Sequence, residues 1–148
     1  MLQIRLLGQF DVRLEGKRVL LPSRAAQSML AYFATTAGIA HRREKLAGTF
    51  WPDLSEENAR KNLRNELWRI RKAISSQQAA GNDYLQANDL TITFNLQTNY
   101  WLDVSHFDQP SAEVEPLLSE LALYQGELLP GFYEEWVLLE RERLRSLF

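Results

Sequence analysis

The chain has 148 residues, of which 45% are hydrophobic and 24% are charged, with a formal net charge of −2. This composition is typical of a globular protein. Cys is absent, which excludes disulfide bonds and thiolate metal sites and fits a reducing cytoplasm. The sequence has neither a secretory leader nor an apolar stretch of membrane-spanning length. We therefore expect a soluble, cytoplasmic protein that does not bind a membrane.

The net charge conceals an uneven distribution along the chain. Residues 1–75 carry 14 Lys and Arg against 7 Asp and Glu, whereas residues 76–148 carry 3 against 12. A basic surface attracts a polyanion, and an acidic surface repels it. The sequence therefore predicts two units with different partners.

Three strands are predicted at the start of the chain. Apolar residues predict strands over Leu2–Leu7, Phe10–Leu14 and Arg18–Leu21. The turn between the last two is predicted at Glu15-Gly16-Lys17. The three segments together predict an N-terminal antiparallel sheet.

Two helices and a short strand follow. Ser23 is a suitable N-cap for the first helix, which Gly38 is expected to end. A short strand is predicted at Ile39–His41, and a second helix over Arg42–Trp51, which Pro52 ends. A short connector then leads into a long third helix, which is a helix-turn-helix arrangement.

The third helix, predicted from Ser55 to Gln78, carries the functional signal. Its apolar residues recur at steps of three and four, which predicts a packed face, and Glu66 falls near the edge of that face. These apolar residues are Ala59, Leu63, Leu67, Ile70 and Ile74. The opposite face, at about 120° to 280° from the first of them, is mostly cationic. Its residues are Lys61, Arg64, Asn65, Trp68, Arg69, Arg71 and Lys72.

This outer face carries charge of one sign, which is unusual for a solvated surface helix. Arg and Asn bond base edges, and Lys and Arg neutralise phosphates. The face therefore predicts contact with the major groove of double-stranded DNA. Arg69 and Arg71 are expected to dominate recognition, whereas Lys61 is expected to contact phosphate.

A hairpin after the third helix completes the predicted domain. Its strands are predicted at Tyr84–Gln86 and Thr91–Phe94, and one more strand is predicted at Tyr100–Leu102. The order of elements predicts an α+β fold, a winged helix-turn-helix domain over residues 1–102 with the hairpin as its C-terminal wing.

Residues 103–148 predict the start of a second, helical domain. A short turn at Val104–Phe107 precedes two helices, over Glu113–Gln125 and Tyr133–Phe148. Two helices leave apolar residues such as Trp136 without a third packing layer, so we expect a truncated domain. Its helices are expected to fold back on the strands near Leu2–Leu14 or to pair between molecules.

Several motifs in this order are similar to a known family. The chain resembles the N-terminal part of the SARP-type bacterial activators, the group that combines an antibiotic-regulatory-protein region with a bacterial transcriptional activator domain. In the strands and helices of the first domain the matching pieces are Ile4-Arg5-Leu6-Leu7-Gly8, Leu21-Pro22-Ser23-Arg24, Leu46-Ala47 through Phe50-Trp51-Pro52-Asp53, and Ala59-Arg60-Lys61-Asn62-Leu63-Arg64 through Leu67-Trp68-Arg69-Ile70-Arg71-Lys72. In the later helices they are Leu123-Tyr124-Gln125-Gly126-Glu127-Leu128-Leu129-Pro130-Gly131-Phe132 and Trp136 through Glu140-Arg141-Glu142-Arg143-Leu144.

The resemblance implies an OmpR/PhoB-like winged helix followed by the first helices of a tetratricopeptide-like activator domain. It also implies an activator that binds direct repeats near promoters, as a possible homodimer, and contacts RNA polymerase. The implied DNA-facing positions on the third helix are Arg64, Asn65, Trp68, Arg69, Arg71 and Lys72. Outside that helix, Arg24 and Trp51 are implied DNA contacts. The implied polymerase-facing loop is Pro52, Asp53, Leu54, Ser55, Glu56 and Glu57.

Two departures from the family pattern concern DNA reading. Trp68 stands where relatives have a small or polar residue, and the wing tip Gln86-Ala87-Asn88-Asp89 lacks the Arg that many winged helices insert into the minor groove.

Other chemistry has no support in the residues. The sequence has no Gly-rich phosphate loop, no metal-ligand spacing and no nucleophile with its base, so we predict no catalytic residue, metal site or cofactor, and no enzyme. The alternative function is a winged-helix protein–protein interaction module without DNA binding. The one-signed face of the third helix favours DNA, because a protein partner does not require such a face.

Overall fold

The structure is a computed structural model that describes residues 1–75, 84–108, 128–132 and 134–146. Its contacts group into two units, Met1–Arg18 with Tyr100–Phe148, and Val19–Asn99. The division of the chain into domains at residues 1–102 and 103–148 stays a prediction.

The first unit contains a four-stranded sheet. Its strands are β1 (Leu2–Arg5), β2 (Asp11–Leu14), β3 (Lys17–Arg18) and β7 (Tyr100–Leu102), in the order β3-β2-β1-β7. β1 to β3 are antiparallel, but β7 lies parallel to β1, with Leu2 opposite Tyr100. The predicted N-terminal antiparallel sheet is therefore a mixed sheet, because a strand from much later in the chain occupies its free edge.

Asp103 explains why β7 lies at this edge. It begins helix α4 (Asp103–Asp108), and its buried carboxylate accepts hydrogen bonds from the backbone N–H of Leu6 at 3.0 Å, Leu7 at 3.0 Å and Val104 at 2.8 Å. The carboxylate thus ties the residues after β1 to the residues after β7. Burial raises the pKa of Asp103 above its ordinary value, while the three N–H donors and Arg5 act in the opposite direction.

The same bonds shorten the first predicted strand. β1 ends at Arg5 rather than Leu7, because the N–H groups of the next two residues bond to a side chain instead of a strand. β3 is also shorter than the predicted Arg18–Leu21, since it pairs only with Arg13 and Leu14. The first correction reflects a long-range partner, Asp103, that local alternation does not reveal, whereas the second lies within a local hairpin.

The described part of the C-terminal region also belongs to the first unit. Leu7 forms a β-bridge with Leu128, and Leu129 donates its N–H to the carbonyl of Leu6 at 2.8 Å. Helix α5 (Glu135–Arg145) follows, and Arg141 donates from its guanidinium to the carbonyls of Leu128 and Leu129. Leu128 and Leu129 therefore lie beside the end of β1, while the predicted packing of the last helix against the strands near Leu2–Leu14 stays a prediction.

The predicted last helix is confirmed with narrower bounds, Glu135–Arg145. The predicted helix Glu113–Gln125 lies outside the described residues, so the tetratricopeptide-like domain stays a prediction. Among the described residues, no helix is both long enough and apolar enough to cross a bilayer.

The second unit is a winged helix-turn-helix, as predicted, and the α+β class is confirmed. Its elements are α1 (Arg24–Thr35), β4 (His41–Arg42), α2 (Arg43–Phe50), α3 (Glu56–Ile74), β5 (Leu85–Ala87) and β6 (Thr91–Phe94). The strands form a sheet in the order β4-β6-β5, so the wing hairpin is joined on one side by the short strand before α2.

The helices of this unit begin where the sequence predicts. Ser23 caps α1 by accepting a hydrogen bond from the Ala26 N–H at 3.0 Å. α1 ends at Thr35, earlier than predicted, and Gly38 adopts a positive φ of 87° in the turn that leads to β4. Met29, Leu30 and Phe33 are fully buried on the inner side of α1.

Candidate nucleic-acid interface

α3 has one buried side and one exposed side, as its sequence predicts. The apolar stripe Ala59, Leu63, Leu67, Ile70 and Ile74 is buried. All seven predicted DNA-contacting residues of the helix are exposed: Lys61, Arg64, Asn65, Trp68, Arg69, Arg71 and Lys72. The fold therefore brings these seven side chains to one surface, which we call the basic face.

The ends of α3 suit its charge pattern. Ser55 caps the helix by accepting the Asn58 N–H at 3.2 Å. Glu56 lies in the first turn and Arg71 and Lys72 in the last, where they oppose the charges of the helix dipole. Cations therefore occupy the central and C-terminal turns, and acidic groups the N-terminal turn.

Trp68 lies at the centre of the basic face. Its side chain is an exposed large apolar group, with 62% of the residue accessible, as the sequence predicts. The ammonium group of Lys72, one turn further on, lies 4.9 Å from the centroid of the indole ring. This cation–π contact joins Trp68 to the C-terminal end of the face.

Arg69 lies at the edge of the basic face toward α1. Its Nη1 donates to Glu66 Oε1 at 2.8 Å. The other carboxylate oxygen of Glu66 accepts a hydrogen bond from Ser23 Oγ at 2.7 Å. The sequence predicts Glu66 near the edge of the packed face and gives no sign of either partner.

A groove of about 850 Å³ lies on the wing side of α3. Its lining includes the arginines Arg42, Arg43, Arg60 and Arg64 and an equal number of acidic side chains. One of the arginines, Arg60, pairs with Glu56 at 2.8 Å, so the lining is of mixed charge rather than basic.

Arg43 connects α2 to the wing. Its Nε donates to the carbonyl of Asn88 at 2.7 Å, and its backbone N–H donates to the carbonyl of Leu90 at 2.9 Å. The sequence pattern predicts no role for Arg43. The signal that could have found it is the pair of adjacent arginines, Arg42 and Arg43, at the start of the second helix.

The wing tip is an Asn-stabilised turn. Asn88 Oδ1 accepts hydrogen bonds from the backbone N–H of Leu90 at 2.8 Å and of Thr91 at 2.7 Å. Its neighbour Asp89 is exposed. The tip therefore presents an amide and a carboxylate, which do not favour insertion into a minor groove of negative potential.

The two predicted contacts outside α3 occupy different positions. Arg24 is the first residue of α1 and is exposed. Trp51 is the C-cap residue of α2, is half-buried, and lies with its ring centroid 6.1 Å from that of Phe50. Trp51 is thus partly a packing residue, with the remainder of its surface accessible.

The predicted polymerase-facing loop is a surface segment. Each of its residues is exposed: Pro52, Asp53, Leu54, Ser55, Glu56 and Glu57. The Leu54 N–H bonds to the carbonyl of Trp51 at 3.3 Å, which closes a turn between α2 and α3. The loop therefore presents three carboxylates and one leucine to solvent.

His41 is a packed residue within the second unit. Its Nε2 lies 2.7 Å from Thr36 Oγ1, and its ring centroid lies 4.9 Å from that of Tyr32. Burial lowers the pKa of His41 below its ordinary value of 6.5, and the charge of Lys45 lowers it further. Within the described ranges, no group of three His, Cys, Asp or Glu side chains is placed to hold a metal ion.

Comparisons with known proteins define the fold. No protein-family model matches the chain, and no curated protein matches it. Among solved structures, EmbR of Mycobacterium tuberculosis, in complex with a low-affinity phosphopeptide, aligns over 98% of this chain with a TM-score of 0.77 and 18% identity. DrrB, an OmpR/PhoB response-regulator homologue from Thermotoga maritima, aligns over 58% of this chain with a TM-score of 0.48 and 33% identity. The chain spans 42% of the EmbR chain and 38% of the DrrB chain, and it shares the fold of the corresponding part of EmbR.

Proposed function

We propose that this chain is the DNA-binding part of a transcription regulator and that α3 is its recognition helix. The observation that carries the proposal is the basic face, where five cations, an amide and an indole are exposed opposite a buried apolar stripe. An α-helix of this kind fits the major groove. The helix-turn-helix order of α2 and α3, with the wing after them, supports this placement.

The side chains of the basic face divide by chemistry. Arg69 and Arg71 read guanine edges, since a guanidinium donates two parallel hydrogen bonds to guanine O6 and N7. Arg64 and Asn65 lie beside them and complete the base-reading set. The ammonium groups of Lys61 and Lys72, with Arg24 and Trp51 at the periphery, contact the sugar-phosphate backbone.

We further propose that the chain belongs to the SARP-type activators. The motif order and the shared fold support a SARP-type activator that binds direct repeats and forms a homodimer on them. The exposed segment Pro52–Glu57, which comprises the connector before α3 and the first two residues of that helix, contacts RNA polymerase through its carboxylates. These roles belong to a whole regulator, and the chain spans 42% of the EmbR chain.

A salt titration of binding tests the central claim. A site is first selected from a random duplex pool with the full chain, and its affinity is then measured at increasing salt concentration. We expect a steep linear fall of log affinity against log salt, with a slope of about −0.9 for each phosphate neutralised. Affinity that is independent of salt would contradict a role for the basic face in DNA binding.

Alanine variants separate base reading from phosphate contact. Arg69→Ala and Arg71→Ala are each expected to cost about 1–3 kcal/mol on the selected site and to relax preference at one position. Lys61→Ala is the matched control, and it should weaken all sequences alike. If all three variants weaken every sequence equally, the base-reading roles are wrong.

Trp68 favours a second candidate function, a winged-helix module that binds a protein. Exposed aromatic side chains are frequent anchors of protein interfaces. The two candidate functions differ in the molecule that the full chain binds, which is DNA in the first and a protein in the second. If random duplex DNA at low salt does not bind the full chain, while a protein partner is retained and lost in Trp68→Ala, the interaction module replaces the DNA-binding proposal.

A further inference from the structure

Glu66 is an acidic side chain that is shielded from solvent and bonded to Arg69, one of the proposed base-reading residues. The residue is 9% exposed, although it lies on a helix whose other charged residues are exposed. Its carboxylate uses both oxygens, one for Arg69 Nη1 at 2.8 Å and the other for Ser23 Oγ at 2.7 Å. A buried carboxylate with two partners has a fixed orientation, because each bond restricts the same rotamer.

Ser23 anchors this arrangement to a second helix. Its Oγ donates to Glu66 while accepting the Ala26 N–H at 3.0 Å, which caps α1. A continuous set of hydrogen bonds therefore runs from the first turn of α1 through a carboxylate to the guanidinium of Arg69. Both ends of this set belong to the second unit.

A comparison within α3 shows what is particular to this pair. Arg60 and Glu56 are also 2.8 Å apart, but 53% and 74% of their side chains are exposed. Such surface pairs exchange with water and hold neither side chain in one geometry. In the Arg69 pair the carboxylate side chain is only 11% exposed, while 44% of the arginine side chain remains accessible.

The bond to Glu66 leaves the recognition edge of Arg69 available. It engages Nη1, whereas Nε and Nη2 make no hydrogen bond to any residue that the structure describes. A guanidinium carries five N–H donors in a rigid fork, so one edge can hold a carboxylate while another binds a guanine. The geometry is therefore compatible with simultaneous contact to Glu66 and to a base.

We propose that Glu66 is a positioning residue that orients Arg69 for base reading. This inference rests on the proposed DNA-binding function. Because Glu66 already orders the Arg69 side chain in the free protein, Arg69 loses less conformational entropy when it binds its base pair. The negative charge of Glu66 simultaneously weakens attraction to phosphate at every sequence. Glu66 therefore increases discrimination and decreases non-specific affinity.

These opposite effects make the Glu66→Gln variant informative. Glutamine keeps the size of the side chain and an acceptor for Ser23, but it removes the ion pair with Arg69. A loss of folding would weaken specific and non-specific binding together. A positioning role predicts weaker discrimination at one position with non-specific binding that is equal or tighter.

The test measures the affinity of the full chain for its selected site, for all single-base variants of that site and for random duplex DNA. The base pair that Arg69 reads is the one at which Arg69→Ala removes preference, expected to be about 5- to 150-fold. We expect Glu66→Gln to lower preference at that pair by about threefold or more, and to leave the other positions unchanged. Ser23→Ala should act in the same direction, and Glu56→Gln, which breaks the exposed pair, should have no such effect.

A double variant and a spectroscopic measurement complete the test. In the Arg69→Ala background, Glu66→Gln should cause no further loss of preference. In the free wild-type protein, the Arg69 Nε–H signal in a ¹⁵N NMR spectrum should report a more ordered side chain than that of Arg60.

Several outcomes would overturn the inference. They are a folded Glu66→Gln protein with unchanged preference, a folded Glu66→Gln protein that loses specific and random binding in parallel, or an Arg69 side chain as mobile as Arg60 in the free protein. The last measurement needs neither the variant nor DNA. Wild-type protein that binds no DNA would instead reject the proposed function, while the order of Arg69 in the free protein would still test its fixation by Glu66.

Discussion

Trp68 is the exposed apolar residue of the proposed DNA-binding surface. Its indole ring lies at the centre of the basic face, with the Lys72 ammonium group 4.9 Å from the ring centroid. In a major groove, an apolar side chain contacts the thymine methyl group. The position therefore favours thymine reading by the ring and phosphate contact by the lysine.

Replacing thymine by uracil in the selected site tests this contact, because the exchange removes only the methyl group. We expect the wild-type chain to bind the uracil duplex more weakly, by about threefold to tenfold, which is the value of roughly one buried methyl group. Trp68→Ala should bind both duplexes equally, as measured by fluorescence anisotropy of labelled DNA. If wild type and Trp68→Ala lose the same affinity on replacing thymine by uracil, a residue other than Trp68 contacts the methyl group.

Asp103 supports a second prediction at the residue scale, concerning stability. Its two carboxylate oxygens accept the N–H groups of Leu6, Leu7 and Val104. Asparagine has a single acceptor oxygen, so Asp103→Asn leaves at least one buried N–H without a partner. We expect a loss of about 1–3 kcal/mol in the free energy of unfolding, measured with urea. Asp53→Asn, at an exposed position, is the control and should change little.

At the scale of elements, the wing depends on one side chain. Asn88 Oδ1 accepts the N–H groups of Leu90 and Thr91, and its carbonyl accepts from Arg43 Nε. Asn88→Ala removes these two side-chain bonds and a third, from Thr91 Oγ1 at 3.3 Å, and keeps the backbone carbonyl that accepts from Arg43. We expect faster amide hydrogen exchange in the hairpin and a loss of about 1 kcal/mol in unfolding free energy. Gln86→Ala, on the exposed side of the same hairpin, should leave both unchanged.

The elements also show what sequence patterns can and cannot predict. The sequence predicts Ser23 and Ser55 as caps and predicts the apolar stripe of α3 from its spacing, because caps and periodicity are local properties. The location of β7 and the bond from Ser23 to Glu66 depend on residues 43 to about 100 positions apart, which no local pattern contains. The roles of the basic-face residues stay predictions, since exposure alone does not identify a partner.

At the scale of the whole molecule, stability should depend on pH through His41. Its pKa is lowered from 6.5 in the folded chain, mainly by burial and also by Lys45, so the folded state favours the neutral ring. The stabilisation is present above pH 6.5 and is lost as pH falls through the lower folded pKa. The unfolding free energy should therefore decrease as the solution is acidified from neutral pH.

The His41→Gln variant separates the effect of His41 on the pH dependence of stability from that of Asp103. The pKa of Asp103 is raised, so its effect on stability has the opposite sign. The free energy of unfolding decreases with increasing pH as Asp103 ionises, because a carboxyl group with a raised pKa is less stable in its ionised form in the folded chain. His41→Gln should flatten the decrease below pH 6.5 in urea titrations at a series of pH values. His106→Gln, which replaces the only other histidine in the sequence, is the comparison. An identical slope in wild type and His41→Gln would contradict this assignment.

The parallel pairing of β1 with β7 has a consequence for the order in which the chain becomes structured. Leu2 pairs with Tyr100, so the sheet of the first unit cannot be completed until about a hundred residues have left the ribosome. The second unit, Val19–Asn99, lies entirely between these two strands in sequence. Contacts between distant residues form late, because closing a long loop costs entropy before any pairing is gained. During synthesis β1 therefore lacks its parallel partner until β7 has been made. The helix-turn-helix is the part of the chain that can fold first.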